Sequence, residues 1–584
     1  MRTQKFSIGI YTAIILLLTS LFPITVLALT PIARYDVVPN QRIEYGSTFK
    51  FGVVAFSKAE ISSVKFTIAG QGYSGGVKTS SSMTYNDRTN AFEYWVPISS
   101  SEFTSSGPFT VTAIATGRDG DTRNLGSLTL NVDATNSLSR PVAWVSTTGS
   151  DSTGKVNTES QPFSTIAGAI AAIQASNSGA SDGGVVYLQA GTYEGTFDVS
   201  SATKTSNEWL TITKAPNATK TSVIISKARA EFDTHLIRLK DVTIQNSTGY
   251  AFENGIADFV WFDGCRIIGR GRDKKPSNPI QNRKWTGYWT NNYIYNMDFA
   301  IVTGILSRGN DISTLSDDSH QNTWCVINDR VDDIDPEPLY PDYYPHADAY
   351  QMHVFGLPSP DNIIIYGLFA TNLHYQGLFA RPSSEGTPVK SATNVALVNN
   401  FFESRAPFRS PGGGVSSLQG KWDHLLMWNN TFATRDFVMY KDTTTDVFEF
   451  KNTSIIGNYF YGFRDAQSNG VVFDKGNSYN NETISNHYYL SYDDGSTTDN
   501  RLHSPDTQTP ASDTFGTAEL DLSDTTNYVH FGYPRASSVL LNRIDNVKVP
   551  ADIVNAERGS VSDIGAFEGN PSDNKSPPSP PQLY

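Results

Sequence analysis

The chain has 584 residues, more than one compact core accommodates, so two or more domains are expected. Its 45 basic residues against 58 acidic ones give a net charge of −13, which argues against nonspecific nucleic-acid binding. Charged residues make up only 18% and aromatic ones 12%, a balance that points to an exported β-rich protein and away from a disordered chain.

The N-terminus opens with Arg2 and Lys5, followed by the apolar run IGIYTAIILLLTSLFPITVLA. Small residues near Val26 and Ala28 complete the parts of a secretory signal over residues 1–28. Pro23 interrupts the run, which speaks against a membrane anchor. The mature protein is therefore expected to be secreted, at the cell surface or periplasmic, and not to be integral to a membrane.

From 30 to 133 the segments FKFGVVAF, SSVKFTIAG, AFEYWVPI, FTVTAIAT and GSLTLNV read as short strands separated by turn-rich pieces such as GQGYSGG and GRDGD. Even spacing of short strands over about 100 residues predicts a β-sandwich. The segment resembles an immunoglobulin-like domain of exported bacterial enzymes, which implies a spacer or a carbohydrate-contacting module.

After the polar boundary ATNSLSR, Ser164 is placed to cap a helix whose Ile166, Ile170 and Ile173 share a face. The strand VVYLQAGTYEG follows. This helix and strand, with AERGSVSDIGAFEG near the C-terminus, resemble the opening and closing segments of the pectate-lyase-like superfamily. The resemblance implies an all-β chain: a right-handed parallel β-helix over residues 141–569, with the helix capping its N-terminal end. The Pro/Ser-rich tail 570–584 reads as a disordered end.

Internal repeats support the solenoid. FVWFDGCRII, TGYWTNNYI, NIIIYGLFA, NVALVNNFF, HLLMWNNTF and NTSIIGNYF each pair an apolar strand with Asn, Gly or Cys near the sixth residue. Starts at Asn362, Asn394, His424 and Asn452 recur at the period of a solenoid, whose turn asparagines can stack from rung to rung. Between Thr286 and Asn362 the spacing is too long, and SRGNDISTLSDDSHQNTWCVINDRVDDIDPEPLYPDYYP reads as an irregular insert. Two cysteines, Cys265 and Cys325, show no disulfide framework, and Cys265 reads as a small packing residue.

Phase within the repeat predicts one stacked row made of FAIVTG, HADAYQMH, YQGLFARP, APFRSPGG and FVMYKD. It would align His346, Asp348, Gln351 and His353 with Gln376 and Arg381, near Tyr375, then with Arg405 and Arg409, and beyond them Lys441 and Asp442. Neighbouring rungs lie about 4.8 Å apart, within side-chain reach. His346 and Asp348 share a strand face, and the cost of burying charge predicts that they point outward into a groove. Gln351 has the opposite parity unless a bulge intervenes.

His-x-Asp-x-x-Gln followed by Tyr-Gln-Gly-Leu-Phe resembles a segment of exported β-helix proteins that act on polysaccharides; Ala349 stands where Gly is common. The resemblance implies a lyase that β-eliminates a uronic-acid polymer. Such a reaction needs a base and a cation at the substrate carboxylate. His346, Asp348, Arg381 and Arg409 are the expected catalytic residues; Gln351, Gln376, Tyr375, Lys441 and Arg405 are expected to bind substrate. Superfamily lyases often use Ca2+, for which Asp332, Asp333 and Asp335 are the acidic candidates, although their spacing is not that of an EF-hand. A glycoside hydrolase needs two or three carboxylates at working distance, and the row offers only Asp348 and Asp442, rungs apart. A non-catalytic polysaccharide-binding solenoid or adhesin is the third possibility.

Overall fold

A computed structural model describes residues 29–176, 183–197, 208–230, 235–245, 252–254, 258–274, 286–302, 304–336, 338, 347–353, 360–382, 391–404, 415–434, 436–440, 449–460, 478–480, 483–485, 488–489, 541–542, 547–563 and 565–568. The expected signal over 1–28 and the tail 570–584 lie outside them. Among the described residues, no helix is long and apolar enough to cross a membrane.

Residues Ile32–Val132 form two sheets packed face to face, antiparallel except where Arg42–Ile43 runs parallel to Thr122–Val132. Phe51, Val53 and Ala55 point into the interior with Phe66, Val111 and Leu130. Their alternating neighbours Val54 and Phe56 point the other way and are also buried. That double burial explains the unbroken apolar run GVVAF, since a strand covered on both faces has no polar side.

The rest is a parallel coil. One long sheet runs from Val142–Val145 to Ser478–Asn480 and a second from Gly191–Phe197 to Tyr488–Tyr489, every rung paired in parallel. The third sheet stacks Ile301–Val302, His320–Gln321, Asp348–His353, Gln376–Arg381, Val415–Gln419 and Asp436–Tyr440. Helix Ile166–Ser176 buries Ile166, Ala169, Ile170 and Ile173 against Ala143, Val145, Val186 and Leu188, so it closes the apolar interior at the first rung. Its cap is Thr165, not Ser164: Thr165 Oγ1 accepts from Gly168 N at 3.0 Å, and Asp151 Oδ1 accepts from the amides of Ser164 and Thr165.

Two columns of special residues hold the rungs in register. Asn400, Asn430 and Asn458 form an internal ladder. Asn430 Oδ1 accepts from Asn400 N (3.0 Å) and Nδ2 (2.9 Å), and Asn430 Nδ2 donates to Leu397 O at 2.8 Å. The residue before each ladder position is left-handed, as at Gly264, Asn291, Gly309, Asn328, Gly367, Asn399, Asn429 and Gly457. Only Gly and Asn occupy these positions because they tolerate positive φ. The repeat starts Asn362, Asn394, His424 and Asn452 are left-handed too, with φ of 57°, 55°, 59° and 56°.

Over residues 304–336 the supposed insert is regular. Trp289 pairs with Ser307, and Ser307 with Val326, so two complete rungs of under twenty residues fill the gap. Cys265 and Cys325 are both buried and unbonded to each other.

The sandwich is docked along the first sheet. Ile32, Val38, Val54 and Phe56 share one buried cluster with Trp209, Tyr366, Trp428 and Val549. Phe56 meets Tyr366 and Trp428 edge-on, at 5.5 and 6.1 Å between centroids. The side chain of Asn362 exchanges hydrogen bonds with the backbone of Ala33 (2.9 and 2.8 Å), and Arg42 pairs with Glu208 at 2.6 Å. A free spacer would show no such seam, and residues 547–568 reinforce it from the C-terminal side, with Lys548 on Glu60 and Asn555 on Asn90 O.

Candidate functional site on the third sheet

The third sheet carries a local break in strand alternation. Ala347, Ala349, Tyr350 and Met352 all belong to the interior cluster, so two consecutive residues, Ala349 and Tyr350, point inward. Asp348 and Gln351 therefore share the outer side despite their opposite parity, and Gln351 Nε2 donates to Asp348 Oδ2 at 3.0 Å. The next strand repeats the break. Leu378 lies in the core, and a Cβ on Gly377 would meet Ser416 Oγ at 2.7 Å and Phe402 Cβ at 3.1 Å. Only glycine fits position 377 at that separation.

A ring of hydrogen bonds fixes the row. Asp348 N donates to Asp318 Oδ1 at 2.9 Å. Gln321 Nε2 donates to Asp318 Oδ2 at 3.3 Å and to Gln351 Oε1, which turns the Gln351 amide so that its nitrogen faces Asp348. Asp348 Oδ1 is left buried without a partner. Burial pushes the Asp348 carboxyl well above the usual carboxylate range. The Gln351 hydrogen bond opposes the shift, the charge of Asp317 adds to it, and hydrogen bonding with Asp318 opposes it. Asp36 Oδ1 and Glu93 Oε2 of the sandwich, and Ser417 Oγ on this same sheet, are buried without partners too, so the orphan oxygen gains meaning only together with the row around Asp348.

Sequence reasoning expected an open groove, and the structure corrects that. Asp348 has 0% exposure and Gln351, Gln376 and Arg381 have 7, 7 and 8%. Any ligand that reaches Asp348 must first displace what excludes water from it. Tyr375, expected to meet substrate, packs into the coil interior. As expected, Gln376 stands opposite Asp348 and Arg381 opposite His353. Five strand positions separate Asp348 from that point, about 16 Å along the strand. The strand described beside Gln376–Arg381 is Val415–Gln419, and the APFRSPGG segment lies outside the described residues. His346, Arg405, Arg409 and Lys441 lie outside the described residues.

The calcium candidates do not converge. Asp332 Oδ1 accepts from Thr371 Oγ1 at 2.9 Å, and Asp333 pairs with Arg272 at 2.9 Å. Among the described residues no group of three or more His, Cys, Asp or Glu is arranged to hold a metal ion. These aspartates do not fit a cation that takes six to eight oxygen ligands.

Sequence reasoning missed the rung His320–Gln321, which lay inside the supposed insert. His320 points inward, and its Nε2 lies 2.9 Å from Asp329 Oδ2 and 3.3 Å from Ser307 Oγ. Serine, histidine and aspartate suggest a hydrolytic triad, but the bonding is wrong for one. Ser307 Oγ donates to Asp329, not to the imidazole, and Asn310 Nδ2 donates to Ser307 Oγ at 2.9 Å. All three residues are at most 1% exposed. The trio is an interior support. Through Nδ1, His320 meets Ser319 Oγ at 2.9 Å and Ala349 O at 3.3 Å, and Ser319 Oγ also donates to Ala349 O. The carbonyl of Ala349 is thus gripped where the alternation breaks, which positions Asp348.

No protein-family model matches this chain, and no curated protein matches it. Among solved structures, a polysaccharide deacetylase from Bacillus cereus is matched at 16% identity over 21% of this chain and 37% of that one. The TM-score of 0.13 is too low for that likeness to carry an argument.

Proposed function

We propose that this is a secreted carbohydrate-active protein, related to the pectate-lyase-like superfamily and carrying an immunoglobulin-like sandwich. It cleaves a uronic-acid-containing polysaccharide by β-elimination at the third sheet. The observation that carries the reading is Asp348: a buried carboxyl with one unsatisfied oxygen, its pKa raised by burial, and oriented by Gln351, Gln321 and Asp318. A carboxyl whose pKa is raised by burial is suited to give a proton to the departing glycosidic oxygen. Gln376 lies beside it to hold sugar hydroxyls, and Arg381, further along the strand, faces the carboxylate of a neighbouring sugar in the chain. His346 is the proposed base and Arg409 a second neutralising cation, with Arg405 and Lys441 as further contacts. No step uses Ca2+.

One observation favours hydrolysis as a second reading. Asp318 and Asp317 lie beside Asp348, which supplies the extra carboxylates that the row lacked on sequence alone.

Incubating the protein with pectate, alginate and glycosaminoglycan polymers, with and without Ca2+, separates the possibilities. Unsaturated-uronate absorbance rising with reducing ends is the expected result. Reducing ends without absorbance assign hydrolysis. Binding without either assigns a polysaccharide-binding solenoid, and no interaction with any polymer rejects the proposal.

A further inference from the structure

We propose that the cleft where sandwich, coil and C-terminal segment meet binds a small carboxylate-bearing sugar. The cleft has a volume of about 260 Å³. At about 30 Å³ per water, that is room for one sugar ring and little more. It lies against the first sheet, is built from residues unrelated to the third-sheet row, and does not rest on the cleavage reading.

Three features select the ligand. The first is charge. Glu60 is shared by two cations, with Arg118 Nε at 3.1 Å from Oε2 and Lys548 Nζ at 2.9 Å from Oε1. Two cations on one carboxylate leave one positive charge uncompensated. Arg118 meets Glu60 through Nε at 3.1 Å and its side chain is 68% exposed, so its guanidinium stands open to an incoming carboxylate in the planar geometry that it favours.

The second is an amphipathic lining that suits a sugar, which has an apolar ring face and hydroxyl edges. Phe56 and Trp428 form part of the wall, while Ser81 and Ser82 stand exposed at the mouth. The Tyr94 phenol also lines the cleft; burial pushes its pKa up to about 12, so it remains a neutral hydroxyl.

The third is strain. Glu60 has φ of 66°, a left-handed conformation uncommon for glutamate. It is held there by Glu60 N donating to Ser57 O at 2.8 Å and Arg118 N donating to Glu60 O at 3.0 Å. These bonds fix Glu60 and Arg118 together at the edge of the cleft, and strain maintained by its surroundings is a mark of binding sites.

The test is calorimetric titration of the full chain with glucuronate, galacturonate and glucose, repeated with Arg118→Ala and Asp348→Asn. Saturable binding of a uronate, no binding of glucose, and a loss of about tenfold or more in Arg118→Ala are expected for one lost charge-assisted contact. Lys548→Met provides a second variant from the other side of the cleft and should weaken uronate in the same direction. Absence of uronate binding, equal binding of glucose, or unchanged affinity in Arg118→Ala overturns the proposal. Loss of binding in Asp348→Asn alone would place the sugar on the third sheet, which rejects the cleft and leaves the cleavage reading intact.

Discussion

The rungs from Asn399 to Asn458 and those from Arg308 to His353 follow one plan but fill it differently. In the first stretch each ladder position is an asparagine, neutral and fully bonded to the rungs on either side. In the second, Asp329 takes the ladder position and accepts from Asn310 N at 2.7 Å, while its other oxygen meets His320. A repeated neutral amide gives stability and nothing else. A carboxylate in the same place recruits a histidine, and that histidine grips the carbonyl beside Asp348. Where a repeat departs from its own rule without an evident gain in stability, function is the reason to look for.

The largest effect expected from this contrast is in the regular stretch. Asn430→Ala removes the partner of Asn400 N and of Leu397 O and one of the two partners of Asn400 Nδ2, which keeps Ile365 O, so at roughly 1–3 kcal/mol per orphaned group a loss on the order of 3–5 kcal/mol is predicted. Thermal unfolding measures it, and a melting temperature near wild type would mean that the ladder is decoration.

His424 is the regular stretch's own exception, a histidine in a column otherwise made of asparagine. Burial lowers its pKa to about 4, and its Nδ1 meets Asn394 Oδ1 at 2.9 Å. The unfolded chain takes up a proton below about pH 6.5 and the folded chain only near pH 4, so stability is lost as pH falls through that window, up to roughly 3 kcal/mol. Asp311 and Asp552, both raised to about 6 by burial, act in the opposite sense, so the prediction concerns a difference. Relative to wild type, His424→Asn should gain stability between pH 6.5 and 4. Parallel stability curves for the two proteins would contradict it.

Asp329→Asn restores the ladder's usual residue and sharpens the comparison furthest. Its stability cost should be small, about 1–2 kcal/mol, because the bonds from Asn310 survive. Polymer cleavage should nevertheless fall, because the grip on Ala349 O depends on His320. Full activity in this variant would reduce the His320–Asp329 pair to packing.

Much of the fold was legible in the sequence because its register is carried by residues with one conformational speciality. Asn362, Asn394, His424 and Asn452 marked the rungs and all proved left-handed. The rungs at Gly304–Arg308 and Cys325–Ile327 were missed because they are short and their third-sheet strand is only His320–Gln321. The site was less legible for a related reason. Strand parity alone sends Asp348 and Gln351 to opposite faces, and nothing in HADAYQMH announces that Ala349 and Tyr350 both turn inward. Past Arg381 the described strand is Val415–Gln419, and the segment that constant spacing had assigned lies outside the described residues.

The most direct test is Asp348→Asn beside Asp332→Asn, with polymer cleavage and thermal unfolding followed in both. The asparagine oxygen can still accept from Gln351 while the proton to be donated is gone. The account predicts that Asp348→Asn melts within a few degrees of wild type and loses roughly 10²–10⁴-fold in cleavage, the usual contribution of a general acid, whereas Asp332→Asn keeps its activity. Cleavage by Asp348→Asn at the wild-type rate would contradict it.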